Sequence, residues 1–235
     1  MHSWFWLALS GIIGFAIGDL FLFKSLVMIG ARVSMLIMTL APPTAAIFGW
    51  LILDESLSLY QLIGMFVTLS GISIVILQKN DKKSQKNNGK LKYPLIGILM
   101  AVIGALGQGV GLVLSKLGMK DYDPYAATQI RIIAGIIGLA TVISFSKKWR
   151  VILKPLRSIK TMGLLSIGAI LGSFLGISFS LLAIKYTNTG VASTIMAVQP
   201  ILIIPASLVI FKEKINFSEI IGALIAFSGI ILFFI

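Results

Sequence analysis

Two charged side chains, Asp19 and Arg131, stand inside stretches that are otherwise apolar. An ionised group at the centre of a lipid-spanning helix costs about 2.5 to 3.5 kcal/mol on insertion scales, so such a residue marks a place where the charge is used. Asp19 is suited to carrying a coupled proton or binding a cationic group, and Arg131 to binding a carboxylate or pairing with Asp19. The competing reading puts both near an interface: Asp19 lies five residues before Lys24, and Arg131 is about two turns into its helix, where its stem can snorkel. Gln108, within the glycine-rich patch from Gly104 to Gly111, sets an amide midway along a third apolar run, either facing a cavity or bonding to a neighbouring helix. Pro42 and Pro200 each remove a backbone donor near the middle of a span and free the carbonyl four residues earlier, at Met38 and Met196. In lipid such carbonyls persist only where protein or a wet cavity satisfies them. A pair of kinked helices lining a substrate site, with Thr39, Thr194 and Gln199 as polar neighbours, is the functional expectation; an ordinary packing kink is the structural one.

The inventory for covalent chemistry is short. Without cysteine, disulfides, thiolate metal sites and cysteine nucleophiles are excluded. His2 is the only histidine, which argues against a histidine zinc site or a serine-histidine hydrolase. The eight acids are scattered, and no glycine loop with a lysine is present to cradle a nucleotide phosphate, so neither a metal nor any other cofactor is expected and ATP-driven pumping is disfavoured. A net charge of +12 suggests nucleic acid in a soluble chain, but here the basic residues crowd into short gaps between apolar runs. That is the pattern of loops at a membrane surface, with no nucleic-acid partner implied.

The elements that must position these groups are set by composition. Of 235 residues, 57% are apolar and 12% charged, with a mean hydropathy of +1.01, whereas soluble domains run at about 45 to 50% apolar and about 25% charged. A bilayer core about 30 Å thick takes roughly 20 residues of helix. Charge-free runs of that kind occupy residues 33–53, 56–78, 93–115, 161–184 and 186–211; three more, 4–23 with Asp19, 124–145 with Arg131 and the short 220–235, complete eight spans. The first lacks the basic leader of a signal peptide. An all-α polytopic membrane protein is expected. Trp4, Trp6, Tyr93, Tyr122, Tyr125, Trp149 and Tyr186 fall near span ends as interfacial anchors do. Alternate loops collect sixteen lysines and arginines on one side against Lys116, Lys120 and Lys185 on the other. By the positive-inside rule the lysine-rich polar segment 78–92 is a cytoplasmic linker and both chain ends face outward.

Sliding the chain by 158 positions aligns 18–77 with 176–235 without a gap, and thirteen of the sixty pairs are identical. They include Pro42/Pro200, Glu55/Glu213, Gly64/Gly222 and Gly71/Gly229. Glu55 and Glu213 each follow a helix and are expected to tie their loop to backbone donors at the start of the next one. Gly168, Gly172 and Gly176 form a small-residue stripe opposite Ser10, Gly14 and Gly18, suited to close helix packing or to a sliding contact. Two spans precede the three matched ones in the second copy, so the chain reads as a repeat of three helices (1–77), the linker (78–92) and a repeat of five (93–235), a five-plus-five plan without its first two. Five is odd, so the copies insert upside down relative to each other, with a site at the midplane between them.

The segments APPTAAIFGWLILDESLSLYQLIGMFVTLSGI and VQPILIIPASLVIFKEKINFSEIIGALIAFSGI carry a proline, an apolar run to a glutamate, then a helix with an early glycine and a late Ser-Gly pair. At Pro42, Glu55, Gly64 and Gly71, and at Pro200, Glu213, Gly222 and Gly229, the chain resembles the EamA-type domain of the drug/metabolite transporter superfamily. The resemblance implies a carrier of metabolites, amino acids or drugs driven by gradients or exchange, usually with ten helices and both ends in the cytoplasm, the opposite of the charge tally. A secondary transporter or permease of a small organic solute working by alternating access is therefore expected, not an enzyme. Its partners are the bilayer and its solute, with a homodimer or a helix pair from another chain as the means of completing the bundle. The rival readings are a nonfunctional fragment, a subunit that needs partner helices, and a polytopic enzyme acting on lipid.

Overall fold

The computed structural model describes residues 2–78, 94–120, 122–147, 149, 158–199, 201–202 and 217–234. Pro200, Glu213 and residues 79–92 of the polar linker lie outside them. Every regular element among the described residues is helical: α1 (His2–Gly11), a first π-helix (Ile12–Asp19), α2 (Leu20–Met38), α3 (Ala41–Leu53), α4 (Leu59–Gln78), α5 (Leu95–Met119), α6 (Pro124–Phe145), α7 (Ile159–Gly168), a second π-helix (Ala169–Gly176), α8 (Ile177–Tyr186), α9 (Thr189–Met196) and α10 (Phe217–Ile231), which ends in a 3-10 turn (Leu232–Phe234). Five continuous helical stretches, Ser3–Ala31, Val33–Leu53, Leu95–Met119, Pro124–Phe145 and Thr161–Tyr186, are long and apolar enough to cross a bilayer, and Leu59–Val75 and Ile220–Phe234 are shorter apolar helices. The run expected over 186–211 is described only to residue 199 and at 201–202, with α9 beginning at Thr189. The chain is an all-α multi-pass membrane protein, and large apolar side chains such as Phe66, Ile136 and Ile167 stand uncovered on its helices, as a lipid surrounding permits.

Three boundaries differ from those the charges suggest. The first span does not stop at Phe23: the helix carries Lys24, whose ammonium lies 5.6 Å from the Phe21 ring centroid, and the chain turns only at Gly30, where φ is +82°. A glycine takes that conformation without steric cost. The third clear run continues past Ser115 to Met119, because Lys116 is neutralised and hydrogen-bonded inside the protein. Nor is Pro42 a mid-helix kink. The helix has already ended in a turn at Thr39 and Leu40, closed by N–H bonds to Leu36 and Ile37 and by the Thr39 hydroxyl on Leu36 O at 2.6 Å. Pro42 then stands in the first turn of α3, where a missing N–H costs nothing. The second copy turns at the same place, Ala197 and Val198.

Packing makes the inverted relation of the copies visible. α4 and α10 cross antiparallel with glycine against glycine: a Cβ on Gly64 would stand 2.7 Å from Gly229 O, and one on Gly222 would stand 2.8 Å from Gly71 O. Gly64 and Gly222 are repeat partners, as are Gly71 and Gly229, so each glycine meets the partner of the other. At the centre of the crossing, Thr68 Oγ1 donates to the carbonyl of its own repeat partner, Ala226, at 3.3 Å. That reciprocal exchange is the signature of a two-fold axis. The two π-helices also fall one residue from register under the same offset.

The first π-helix is wedged between α5 and α6. A Cβ on Gly107 would stand 3.0 Å from Gly18 Cα, one on Gly111 2.9 Å from Gly14 Cα, and one on Gly138 2.7 Å from Ala16 Cβ, so backbones touch along this face. The equivalent stripe of the second copy differs. No atom of another element lies within 4 Å of the Cβ positions of Gly168 and Gly172, and Gly176 meets only Leu171 O of its own helix. The close packing expected of this stripe is therefore found in the first copy and not, among the described residues, in the second.

Candidate functional site

A cavity of about 480 Å³ opens between the two copies. Its walls include Leu22 and Ser180, Met35 and Ser193, Met38 and Met196, Thr39 and Ala197, and Ala41 and Gln199, five pairs related by the 158-residue offset. The cavity thus sits on the same axis as the α4–α10 crossing. Pro42, Ile72, Phe15, Ile177 and, from α5 and α6, Gln108, Leu112 and Arg131 complete the lining. The walls are not alike. Leu22, Met35 and Ala41 of the first copy face the volume where the second copy presents Ser180, Ser193 and Gln199, and the residues from α5 and α6 add an amide and a guanidinium.

Of the two charges expected from sequence, Arg131 lines this cavity and Asp19 does not, being joined to it through Gln108. Arg131, on α6, is 4% exposed and lines the cavity, its Cζ 4.8 Å from the Phe15 ring centroid. Asp19 ends the first π-helix, and its Oδ1 accepts from Gln108 Nε2 at 2.5 Å. Gln108 is near the middle of the 25-residue α5, so this bond places Asp19 at mid-span and not at an interface. Asp19 and Arg131 do not form an ion pair; among the described residues that contact is made by Lys116 and Glu55. π-helical turns are rare and recur at functional sites; here one supplies both Phe15, over the guanidinium, and Asp19.

Of the polar neighbours expected beside the prolines, Thr39 and Gln199 line the cavity. Thr194 does not: it is fully buried and its hydroxyl donates to Gly190 O at 2.7 Å within its own helix. Pro42 lines the cavity, while Pro200 is outside the described residues. Phe15, Ser180, Ser193 and the methionines Met35, Met38 and Met196 were not singled out by residue type. The offset held the signal, since Ser180 and Ser193 are repeat partners of Leu22 and Met35 in the helices that flank the turn.

Glu55 does not cap the helix that follows it. It crosses to the other copy, where Oε2 accepts from the Thr189 N–H at 2.8 Å and from the Thr189 hydroxyl at the start of α9, and Oε1 pairs with Lys116 Nζ at 2.6 Å. The start of α4 is served instead by Ser58, whose Oγ accepts from the Gln61 N–H at 3.2 Å while Gln61 Oε1 accepts from the Ser58 N–H. Lys116 also donates to Thr187 O at 2.6 Å, and Asn188 Nδ2 to Ser56 O at 3.0 Å. Gly49 keeps this room clear, since a Cβ there would stand 2.7 Å from both Glu55 Oε2 and Thr189 Oγ1. The result is a clamp joining the α3–α4 loop, α5 and the α8–α9 loop. Lys116 is one turn along α5 from the cavity residue Leu112, and Thr189 one turn before Ser193 on α9. The same end of the bundle carries Lys185 Nζ on Tyr122 O at 3.2 Å and Trp4 Nε1 on Tyr122 Oη at 2.6 Å.

A model of the EamA-like transporter family matches residues 2–77 and 95–235. The uncharacterized inner membrane transporter YhbE of Escherichia coli (strain K12) is 30% identical over 146 residues, 59% of this chain and 43% of that protein. An uncharacterized transporter of Clostridium kluyveri is 26% identical over 188 residues, 79% of this chain and 57% of that one. The chain thus spans about half the length of these curated relatives. A solved crystal structure 18% identical in sequence matches with a TM-score of 0.67 over 96% of this chain and 73% of that chain, which shows a shared fold.

Proposed function

The chain belongs to the EamA-like transporter family, and from that premise we propose that it serves as a secondary transporter, moving a small organic solute through the cavity between its two copies by alternating access. The observation that carries this reading is the paired lining: five positions of one copy and their partners in the other line one volume. A site on the axis between inverted copies is the one place that a rocking motion of one copy against the other exposes first to one side and then to the other. The names of the family and of both relatives are those of transporters, which supports carriage over catalysis.

In this mechanism the clamp of Glu55, Lys116 and Thr189 holds one face shut. It joins a loop of the first copy to α5 and α9 of the second, a turn away from the cavity, so its rupture is the event that opens that face. Gly64, Gly71, Gly222 and Gly229 supply the opposed backbone surfaces on which α4 and α10 pivot. Asp19 and Arg131 are the ionisable groups at the solute's depth, with Gln108 holding Asp19 in place. The test is counterflow in proteoliposomes: purified protein, preloaded with an unlabelled solute pool, should drive transient accumulation of the labelled solute above that of protein-free vesicles. Absence of counterflow over a broad metabolite panel, with the protein folded and inserted, would sink the transport reading.

A further inference from the structure

The proposed transport reading leaves the solute open, and Arg131 narrows it. The guanidinium carries five donors in a planar fork and stays charged. Here its Cζ lies over the Phe15 ring, but Nε is buried with no hydrogen-bond partner, and no carboxylate of the described residues pairs with it. Asp19 acts on the guanidinium through space, out of contact with it, and its Oδ1 accepts from Gln108 Nε2. A buried charge with an unsatisfied edge donor is costly unless an anion completes it, and a carboxylate fits the guanidinium fork in two parallel bonds. One guanidinium lines the cavity among the described residues, which matches a single negative charge.

The walls specify the rest of the molecule. At three of the five paired positions the first copy presents Leu22, Met35 and Ala41 where the second presents Ser180, Ser193 and Gln199, while Thr39 opposite Ala197 runs the other way, so more of the paired polar positions stand on the second copy's wall. Met35 and Met38 add side chains that repack around different shapes. We infer that the cargo is an amphipathic organic monocarboxylate, its carboxylate gripped edge-on by Arg131 and its hydrocarbon body laid against the wall of the first copy. This rests on the transport reading for the word cargo, and on the cavity alone for the binding.

The decisive comparison uses the full chain in detergent, with thermal unfolding followed as phenylalkanoates from phenylacetate to 5-phenylvalerate are added beside their neutral amides. At least one acid should raise the unfolding temperature saturably, with its amide weaker by about tenfold or more, the size of one lost charge-assisted bond. Arg131→Gln should abolish the difference between acid and amide, and Arg131→Lys should keep part of it. Equal shifts from acid and amide, an Arg131→Gln protein that still prefers the acid, or no shift from any acid would each overturn the inference. If Arg131→Gln does not fold, the acid and amide on the unaltered protein decide alone. Acid binding without counterflow refutes transport and leaves the site; counterflow of neutral solutes without acid binding refutes the site and leaves transport.

Discussion

Replacing Glu55 with glutamine keeps the shape of the clamp and removes its charge. The Glu55 and Lys116 side chains are 9% and 23% exposed, so solvent screens the 2.6 Å contact only weakly. A hydrogen bond to a charged group contributes about 1.5 to 3 kcal/mol, and truncating one partner of a buried pair costs about 3 to 5 kcal/mol. Lys116 recovers part of that through its bond to Thr187 O, and a glutamine oxygen still accepts from the Thr189 N–H. The expected loss is about 2 to 3 kcal/mol, borne by the conformation that holds the clamp shut, which moves the balance toward the open one by about 30- to 150-fold. The chain has no cysteine, so a single Ser193→Cys change puts a reporter in the cavity wall. Its labelling by a membrane-impermeant maleimide, applied from the face that carries Lys116, should accelerate by about tenfold or more in Glu55→Gln and in Lys116→Met. The double variant should fall short of the sum of the two, since one contact is lost in both. Unchanged labelling from that face in a folded Glu55→Gln protein, or strict additivity, would refute the clamp.

Gly71→Ala should lower stability by about 1 to 3 kcal/mol, because its Cβ would stand 2.5 Å from Gly222 O, whereas Gly172→Ala, with open space at its Cβ, should leave the denaturation midpoint unchanged or raise it; equal losses at the two sites would contradict the packing described. Pro42→Ala should change stability by less than about 1 kcal/mol, since the turn precedes the proline and its nitrogen lies where no helical partner is required. A spin-label distance showing one straight helix through residue 42 would say otherwise. Asp19→Asn should slow counterflow by about tenfold or more, and Gln108→Leu, which strips Asp19 of its donor, should do the same; intact flux in Asp19→Asn would remove Asp19 from the mechanism.

The spans were legible because lipid leaves a chain few choices: about 20 apolar residues in a row must be helix, and 124–145 was read to the residue that the structure shows. The repeat was legible for a different reason, since an offset needs no knowledge of contacts. What sequence could not give is partnership at long range. Capping is local and points Glu55 to the next helix, yet its partner Thr189 lies 134 residues away. Asp19 was weighed against an interface because Lys24 is near it in sequence, while the residue that fixes its depth, Gln108, is 89 positions on. A proline in mid-run points to a kink, and nothing in its own vicinity announces that the turn comes first, at Thr39 and Leu40.

The repeat itself separates positions that pack from positions that face space, once the structure says which are which. Where the copies touch along α4 and α10, the partners are the same residue, Gly64 with Gly222 and Gly71 with Gly229, because backbone against backbone leaves no room for a Cβ on either side. Around the cavity the partners differ: Leu22 with Ser180, Met35 with Ser193, Thr39 with Ala197, Ala41 with Gln199, and only Met38 with Met196 agree. A void tolerates any side chain that does not fill it, so the two copies were free to diverge there. Divergence is also what turns a two-fold volume, which would hold a solute equally well in either of two orientations, into one that holds it in a single orientation. Restoring the symmetry tests this: Ser180→Leu with Ser193→Met should leave the fold intact, because both positions line the cavity, while the site loses its preference for one end of an amphipathic molecule over the other.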